Sequence, residues 1–155
     1  MPENLKRYYG QDHPHFITFS CHQRKPLFLP ISARKIFLEE LDKIRNEMQF
    51  ALAGYVVMPE HVHLLISEPA IGSPSGIMQK LKRRVSQRTR AGTFWQPRFY
   101  DFNVYTADKK SEKLNYMHAN PVERKLVKLP QEWPSSSYSA YHGLDPGPIR
   151  IDLIP

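Results

Sequence analysis

The feature that most constrains the fold is a pair of short apolar segments joined by two residues. Residues 51–58 and 61–67 are rich in β-branched and apolar side chains, and Pro59-Glu60 separates them. Runs of this length and composition are typical of β-strands, and so short a connection makes neighbouring strands run antiparallel. The sequence therefore predicts a tight antiparallel hairpin, around which the rest of a sheet must be built.

The segments on either side of the hairpin predict further strands and three helices. Residues 15–21 and 94–105 have the composition of strands, the second interrupted near Pro97. The order strand, helix, strand, strand, helix, strand, helix predicts an α+β fold, a ferredoxin-like antiparallel sheet with helices packed on one face. The first predicted helix runs from a cap at Ser32 to about Gln49. The second begins at a cap at Ser75 and contains the basic residues that follow it, and the third runs from Thr106 or Asp108 to about Ala119.

The length of 155 residues fits one domain, 1–155, with a core expected over residues 15–128 and an irregular tail over 129–155. Trp133 is expected to pack this tail onto the domain. Residues 1–16 contain no apolar leader segment, and no apolar run is long enough to cross a bilayer. Cys21 is the only cysteine, which excludes an intramolecular disulfide and a thiolate zinc cluster and fits a reducing cytoplasm.

The net charge of +7 is concentrated in one stretch, because seven basic residues and no acidic residue lie between Pro69 and Tyr100. Such a local excess is typical of nucleic-acid-binding proteins, although a solvated helix face or an acidic lipid partner would also explain it. Neighbouring aromatic residues either stack on unpaired bases or belong to the core. The predicted DNA-binding residues are Lys80, Lys82, Arg83, Arg84, Arg88, Trp95 and Arg98.

The second strand of the hairpin carries His61-Val62-His63. Because side chains alternate along a strand, the two imidazoles emerge on the same face about 7 Å apart, and they can lean towards one ion. The alternative is two independent histidines on a half-exposed strand. A second pair of histidines separated by one residue, His13-Pro14-His15, lies in a segment that a proline interrupts, so the relative orientation of its two rings is less defined. The first pair, supported by apolar strand segments, is the candidate metal site.

The third predicted helix carries Tyr116 and Asn120, which are four residues apart and so lie on one helix face. A tyrosine hydroxyl close to a divalent ion can attack a phosphodiester, because the ion polarises the phosphoryl group and helps the phenol lose its proton. Tyr116 could instead be a packing residue. Asn120 could ligate the ion or cap a new helix beginning at Pro121. His118 is a lesser candidate ligand on a different side of the helix.

These motifs together resemble the single-tyrosine HUH transposases, and within them the REP-associated tyrosine transposases. The resemblance is carried by YVVMPEHVHLLI at residues 55–66, by the basic helix, by WQPRFYD at 95–101 and by YMHANPVERKLV at 116–127. It extends over residues 15–138. The combination of motifs in this order is far more specific than any one of them.

The resemblance implies an enzyme that cleaves single-stranded DNA at hairpin-containing sites and transfers the strand through a covalent 5'-phosphotyrosine. It implies a Mg²⁺ or Mn²⁺ ion bound by His61, His63 and Asn120, with Tyr116 as the catalytic nucleophile. Related enzymes act as dimers or monomers, and a monomer is favoured here over a homodimer. The sequence departs from the family pattern at Glu60, Glu123 and Lys125, which affects the expected DNA specificity rather than the chemistry.

A different class of function also fits the charge pattern. A non-catalytic nucleic-acid-binding module of ferredoxin-like fold would use the same basic helix and aromatic residues without cutting DNA. A hydrolase that uses a metal-bound water would make Tyr116 incidental. The non-catalytic module leaves the pairing of His61 and His63 with Tyr116 and Asn120 as a coincidence.

Overall fold

A computed structural model of the protein describes residues 10, 13–90 and 92–153, so most of the segment examined for a leader lies outside the described residues. It contains four strands and four helices, with short 3-10 turns at His22–Arg24 and Pro130–Glu132. The strands are β1 (His15–Ser20), β2 (Leu52–Val57), β3 (His61–Ile66) and β4 (Tyr100–Asn103). The helices are α1 (Ile31–Met48), α2 (Pro74–Thr89), α3 (Ala107–Glu123) and α4 (Tyr138–Tyr141).

The strands form one antiparallel sheet in the order β2-β3-β1-β4. Strands β2 and β3 are the predicted hairpin, and β1 lies between β3 and β4. This order, with a helix between β1 and β2 and another between β3 and β4, is that of a ferredoxin-like fold, so the predicted fold class is confirmed. The β1–β3 register places Thr18 opposite His63, at the position where the candidate site begins.

Helices cover both faces of the sheet. The main core lies on one face, where Ile17 of β1 and Leu64 of β3 pack with apolar residues of α1 and α2. A second, smaller core lies on the other face, where Phe16, Leu65 and Met117 of α3 pack together. Because consecutive strand residues point to opposite faces, the two cores alternate along each strand. Helix α3 thus covers the face that the predicted fold left open.

Some element ends differ from the sequence predictions. Helix α1 begins after Pro30 without a side-chain cap, and the hydroxyl that caps α2 belongs to Ser73 rather than Ser75. Thr106 caps α3 as predicted, accepting a hydrogen bond from the backbone N–H of Lys109. Of the predicted strand 94–105, only Tyr100–Asn103 is a regular strand. The chain around Pro97 forms a loop, and Trp95 forms an isolated bridge with Cys21, just after β1.

The tail packs along β2, as expected. The indole N–H of Trp133 donates to the Val57 carbonyl, and the backbone of Ser135 and Ser137 bonds to β2. Further on, Ile149 joins the main core. Among the helices that the structure describes, none has the length and apolar character needed to cross a membrane.

Candidate metal and nucleophile site

The two imidazoles predicted as metal ligands face one another at the start of β3. The Nε2 atoms of His61 and His63 are 3.1 Å apart, and both side chains are almost fully buried. Two ligands at right angles around one ion, each about 2.1 Å from it, would be about 3.0 Å apart. The spacing of the two ring nitrogens therefore fits two ligands of a single ion.

Each ring is oriented by a hydrogen bond at its other nitrogen. Nδ1 of His61 lies 2.9 Å from a carboxylate oxygen of Glu60, and Nδ1 of His63 lies 2.7 Å from the hydroxyl of Thr18. A carboxylate partner keeps Nδ1 of His61 protonated, so its Nε2 lone pair faces the site. These bonds hold the rings in the orientation that metal ligation requires.

Burial keeps both imidazoles neutral. It lowers the pKa of His61, with the hydrogen bond to Glu60 acting in the opposite direction. Burial and the nearby His61 ring lower the pKa of His63 to about 3. Neutral imidazoles have a free lone pair and bind a cation without first losing a proton.

Helix α3 brings Asn120 to the same place. Its side-chain Nδ2 lies 3.2 Å from Nε2 of His61, and the residue is buried. Half a turn of the amide about its last bond exchanges Nδ2 and Oδ1, two atoms that are hard to distinguish by position alone. The amide oxygen would then complete a set of two nitrogen ligands and one oxygen ligand. Within the described ranges, no cluster of three or more His, Cys, Asp and Glu side chains could hold a metal, so this mixed set is the candidate.

The alternative role of Asn120 as a helix cap is wrong. Helix α3 continues through Pro121 to Glu123, and Arg124 is its C-cap. A proline this close to the end of a helix removes only one backbone hydrogen bond, so it does not force the helix to end before it. Asn120 is therefore an interior helical residue whose side chain is directed at the histidine pair.

Tyr116 lies one turn before Asn120 on the same helix. Its ring centroid is 5.3 Å from that of His63 and 6.2 Å from that of Phe16, both in edge-on contacts. The side chain is 51% exposed. The phenol is thus both close to the imidazole pair and accessible to a large substrate.

A carboxylate joins the strand to the helix at this site. Glu60 accepts a hydrogen bond of 2.6 Å from Arg124, and the guanidinium of Arg24 lies 3.5 Å from the same oxygen. Burial opposes ionisation, but the hydrogen bonds from Arg124 and His61 hold the pKa of Glu60 below its ordinary value. The sequence shows Glu60 beside the histidine pair as a departure from the family pattern. It gives no sign that Arg124 and Arg24 are the partners of this carboxylate.

The other residues beside Tyr116 come from two strands and from α3. Thr18 and Phe16 lie on β1, Lys113 on α3 and Tyr100 on β4, and all of them border the groove beside Tyr116. Tyr100 is one of the aromatic residues that the sequence predicts either to stack on bases or to join the core. Of the residues that the sequence missed, only Lys113, three residues before Tyr116, had a signal in its spacing. His118, the lesser candidate ligand, is not in the site: its Nε2 bonds the Ser137 hydroxyl at 2.8 Å.

The predicted DNA-binding residues lie elsewhere, since α2 packs on the opposite face of the sheet. Several of them contact other parts of the protein. Arg84 forms a two-pronged ion pair with Glu47 of α1, while Arg88 bonds Glu39 and Glu40. The ammonium of Lys80 lies 3.5 Å from a carboxylate oxygen of Glu47. Lys82 donates hydrogen bonds to the backbone carbonyls of Gln96 and Arg98. The indole of Trp95 packs against the main core. Arg83 and Arg98 are exposed.

Comparison with known proteins places the chain in a family. The family described as "Transposase IS200 like" matches residues 10–120. The chain belongs to this family. Membership makes the IS200-like chain a transposase, an enzyme that acts on DNA.

Two relatives are similar over most of their length. The REP-associated tyrosine transposase of Escherichia coli strain K12 is 24% identical over 134 residues, which are 86% of this IS200-like chain and 81% of that protein. A solved structure of a REP-associated tyrosine transposase bound to a REP hairpin has a TM-score of 0.80 at 23% identity, covering 100% of this chain and 94% of that one. The structural likeness concerns the fold.

Proposed function

We propose that this transposase cleaves single-stranded DNA with Tyr116 and transfers the strand through a covalent phosphotyrosine. The observation that carries the proposal is the exposed phenol of Tyr116 with its ring 5.3 Å from His63, beside the paired Nε2 atoms and the amide of Asn120. An accessible nucleophile beside a cation site is the combination that phosphodiester cleavage needs.

The reaction consists of two balanced transfers. The phenol of Tyr116 loses its proton and its oxygen forms a bond to a DNA phosphorus. The bond from that phosphorus to the 3'-oxygen of the preceding nucleotide breaks, and the 3'-oxygen takes up a proton. A later 3'-hydroxyl attacks the phosphotyrosine, loses its proton and releases the phenol. The number of phosphodiester linkages is conserved, so the strand is rejoined without a nucleotide cofactor.

His61, His63 and Asn120 would hold a divalent ion, and Mg²⁺ or Mn²⁺ is the proposed cofactor. Bound there, the ion supplies Lewis-acid stabilisation of the charge that develops on the phosphoryl oxygens. Glu60 and Thr18 fix the imidazole rings, and the α3 backbone fixes the distance between Tyr116 and Asn120. These residues therefore position the attacking oxygen before the substrate arrives.

The proposed substrate is single-stranded DNA with a hairpin, in line with the REP hairpin bound by the structurally similar transposase. Arg83 and Arg98, which are exposed, are the predicted basic residues best placed to meet its phosphates. The other predicted DNA-binding residues would have to break their contacts within the protein before they could bind DNA; they are Lys80, Lys82, Arg84, Arg88 and Trp95. We further propose that the chain acts as one domain in the cytoplasm and as a monomer rather than a homodimer.

The test is formation of a covalent adduct. Protein incubated with 3'-end-labelled single-stranded hairpin DNA and Mn²⁺ should give a labelled band on a denaturing gel that migrates more slowly than the free protein. Tyr116→Phe keeps the ring and removes the hydroxyl, so the adduct should disappear. Tyr105→Phe makes the same change at another exposed tyrosine and should retain the adduct.

The competing functions give different results in the same assay. DNA cleavage without an adduct would indicate a hydrolase that uses water. Binding without cleavage would indicate a non-catalytic module. An adduct that persists in Tyr116→Phe would contradict the assignment of the nucleophile.

A further inference from the structure

A groove of about 290 Å³ opens beside the histidine pair, between α3 and the sheet. It is continuous with the exposed side of Tyr116, so a strand whose phosphate reaches the phenol must pass next to it. The groove is lined by Phe16, Thr18, His63, Tyr100, Lys113 and Tyr116.

The groove has aromatic walls. Phe16 forms a buried floor that stacks on the His63 ring at 5.3 Å, while Tyr100 and Tyr116 are partly exposed at its sides. Its volume is just below the range of about 300–1,000 Å³ that holds drug-sized ligands. A single flat ring system with polar edges fits such a space better than an extended ligand does.

One positive charge borders this aromatic surface. The ammonium of Lys113 lies 5.0 Å from the centroid of Phe16 and 4.8 Å from that of Phe102. The lining residues include no carboxylate. Since Lys113 is three residues before Tyr116, its charge lies on the same helix face as the nucleophile, about one turn away. A cation over aromatic rings beside a nucleophile is complementary to a nucleotide, which combines a flat base with a negative phosphate.

We propose that this groove holds one unpaired base of the nucleotide next to the cleaved phosphate, and that Lys113 contacts the phosphate of that nucleotide. The inference rests on the proposed function and adds to it a defined position for a base. It also gives α3 a second task, because the helix that carries the nucleophile then also fixes the register of the substrate strand.

Equilibrium binding in a Tyr116→Phe background tests the groove, since no cutting can occur there. The probes are a fluorescein-labelled oligothymidylate and an abasic strand of equal length, measured by fluorescence anisotropy. The parent should bind the thymidylate about tenfold more tightly than the abasic strand, and Tyr100→Leu should bring this ratio close to one. Lys113→Gln should weaken both strands and lower the log–log salt slope by about one.

Lys35→Gln is the matched control for charge. It removes one exposed positive charge from α1, on the opposite face of the sheet, and should leave the salt slope unchanged. Thermal melting should show that Tyr100→Leu is folded. As a second measurement, a strand containing 5-iodouridine should cross-link to the peptide that carries Tyr100 or to the α3 peptide.

The possible results separate this inference from the proposed function. An unchanged base-to-abasic ratio in Tyr100→Leu, or cross-links confined to α2, would overturn the groove assignment even if the adduct forms. If no adduct forms but the ratio and slope change as expected, the groove binds a base in a protein that does not cut.

Discussion

Glu60 links the strand that carries the histidines to the helix that carries the tyrosine. One of its oxygens lies 2.9 Å from Nδ1 of His61 and 2.6 Å from a guanidinium nitrogen of Arg124, at the end of α3. Partners of metal-binding histidines typically change metal affinity by about 10–100-fold when they are removed, because they fix the ring and increase its basicity.

Glu60→Ala should therefore weaken Mn²⁺ binding by about 10–100-fold, as measured by isothermal titration calorimetry. Glu60→Gln keeps an acceptor for the Nδ1 proton of His61, so it should lose less Mn²⁺ affinity than Glu60→Ala does. Glu112→Ala, which removes an exposed carboxylate from α3, is the control and should bind Mn²⁺ as the parent does. Parent-like Mn²⁺ affinity in Glu60→Ala would mean that His61 does not need this partner.

His15, the second half of the other histidine pair, is a structural residue. It is fully buried, with Nδ1 2.7 Å from Asp101 and Nε2 3.0 Å from Glu68. Burial alone would lower its pKa, but the hydrogen bonds to the two carboxylates outweigh burial and raise the pKa. The folded protein therefore holds the proton on His15 more tightly than the unfolded chain does.

This proton makes stability depend on pH. Because folding raises the pKa of His15, the contribution of this residue to the free energy of unfolding is complete below the pKa of the unfolded chain, which is about 6.5. The contribution is lost as pH rises through the pKa of His15 in the folded protein. The urea midpoint should fall as pH rises above about 6.5, and the fall should be smaller in His15→Gln. An equal fall in both proteins would show that another group is responsible.

At the scale of elements, the position of α3 depends on a glycine in β2. A Cβ atom at Gly54 would lie 2.6 Å from Cδ2 of Leu114 and 2.9 Å from Cε of Met117. The missing side chain lets α3 lie close to the sheet, which sets the distance from Tyr116 to the histidine pair. Any added bulk must move the helix or its side chains.

Gly54→Val should therefore destabilise the protein by about 1–3 kcal/mol, the usual range for overpacking, and reduce adduct formation. Adding Leu114→Ala to Gly54→Val should recover part of the lost stability and part of the lost adduct yield. Gly76→Ala in α2 is the control, because a Cβ there meets its neighbours at ordinary distances of 3.5 Å. Urea denaturation and the gel assay give the two readouts; unchanged adduct yield in Gly54→Val would mean that α3 tolerates displacement.

The hydrophobic pattern was enough to predict the hairpin, the three longer helices and an antiparallel sheet, because apolar periodicity records which face of each element is buried. It did not predict α4, which lies in the tail expected to be irregular, or the position of α3 on the second face of the sheet. The ends of elements were harder. Ser73 and Ser75 are both good caps, and the structure uses Ser73, which is followed by a proline at the first helical position. Asn120-Pro121 has the pattern of a helix start, yet packing of α3 on β2 carries the helix past it.

The candidate site was partly predictable for a similar reason. His61 and His63 share a strand face, and Tyr116 and Asn120 share a helix face, so sequence spacing alone groups each pair. The contacts of Thr18 with His63 and of Glu60 with Arg124 depend on strand register and on where α3 ends. Such long-range pairings have no signature in the spacing of residues.

At the scale of the whole molecule, the charge that suggested a DNA-binding helix is divided between two tasks. Arg84 and Arg88 bond acids of α1 and tie the two helices together, whereas Arg83 and Arg98 are exposed. An arginine that already bonds a carboxylate must give up that bond, beside a remaining negative charge, before it can bind a phosphate.

Two double variants with the same loss of charge test this division. Arg83→Gln with Arg98→Gln should lower the salt slope of oligothymidylate binding by about two. Arg84→Gln with Arg88→Gln should leave the slope unchanged and lower the urea midpoint. Equal changes of slope in both would show that the α2 arginines exchange their α1 partners for DNA.

The tail along β2 determines how copies of this chain can meet. Backbone N–H groups of Val57, Ser137 and Asp152 are used in bonds between β2 and the tail, so this border of the sheet has no free run of donors and acceptors. A second molecule cannot extend the sheet there by adding a strand. Among the described strands, β4 is therefore the edge at which a second copy could add a strand.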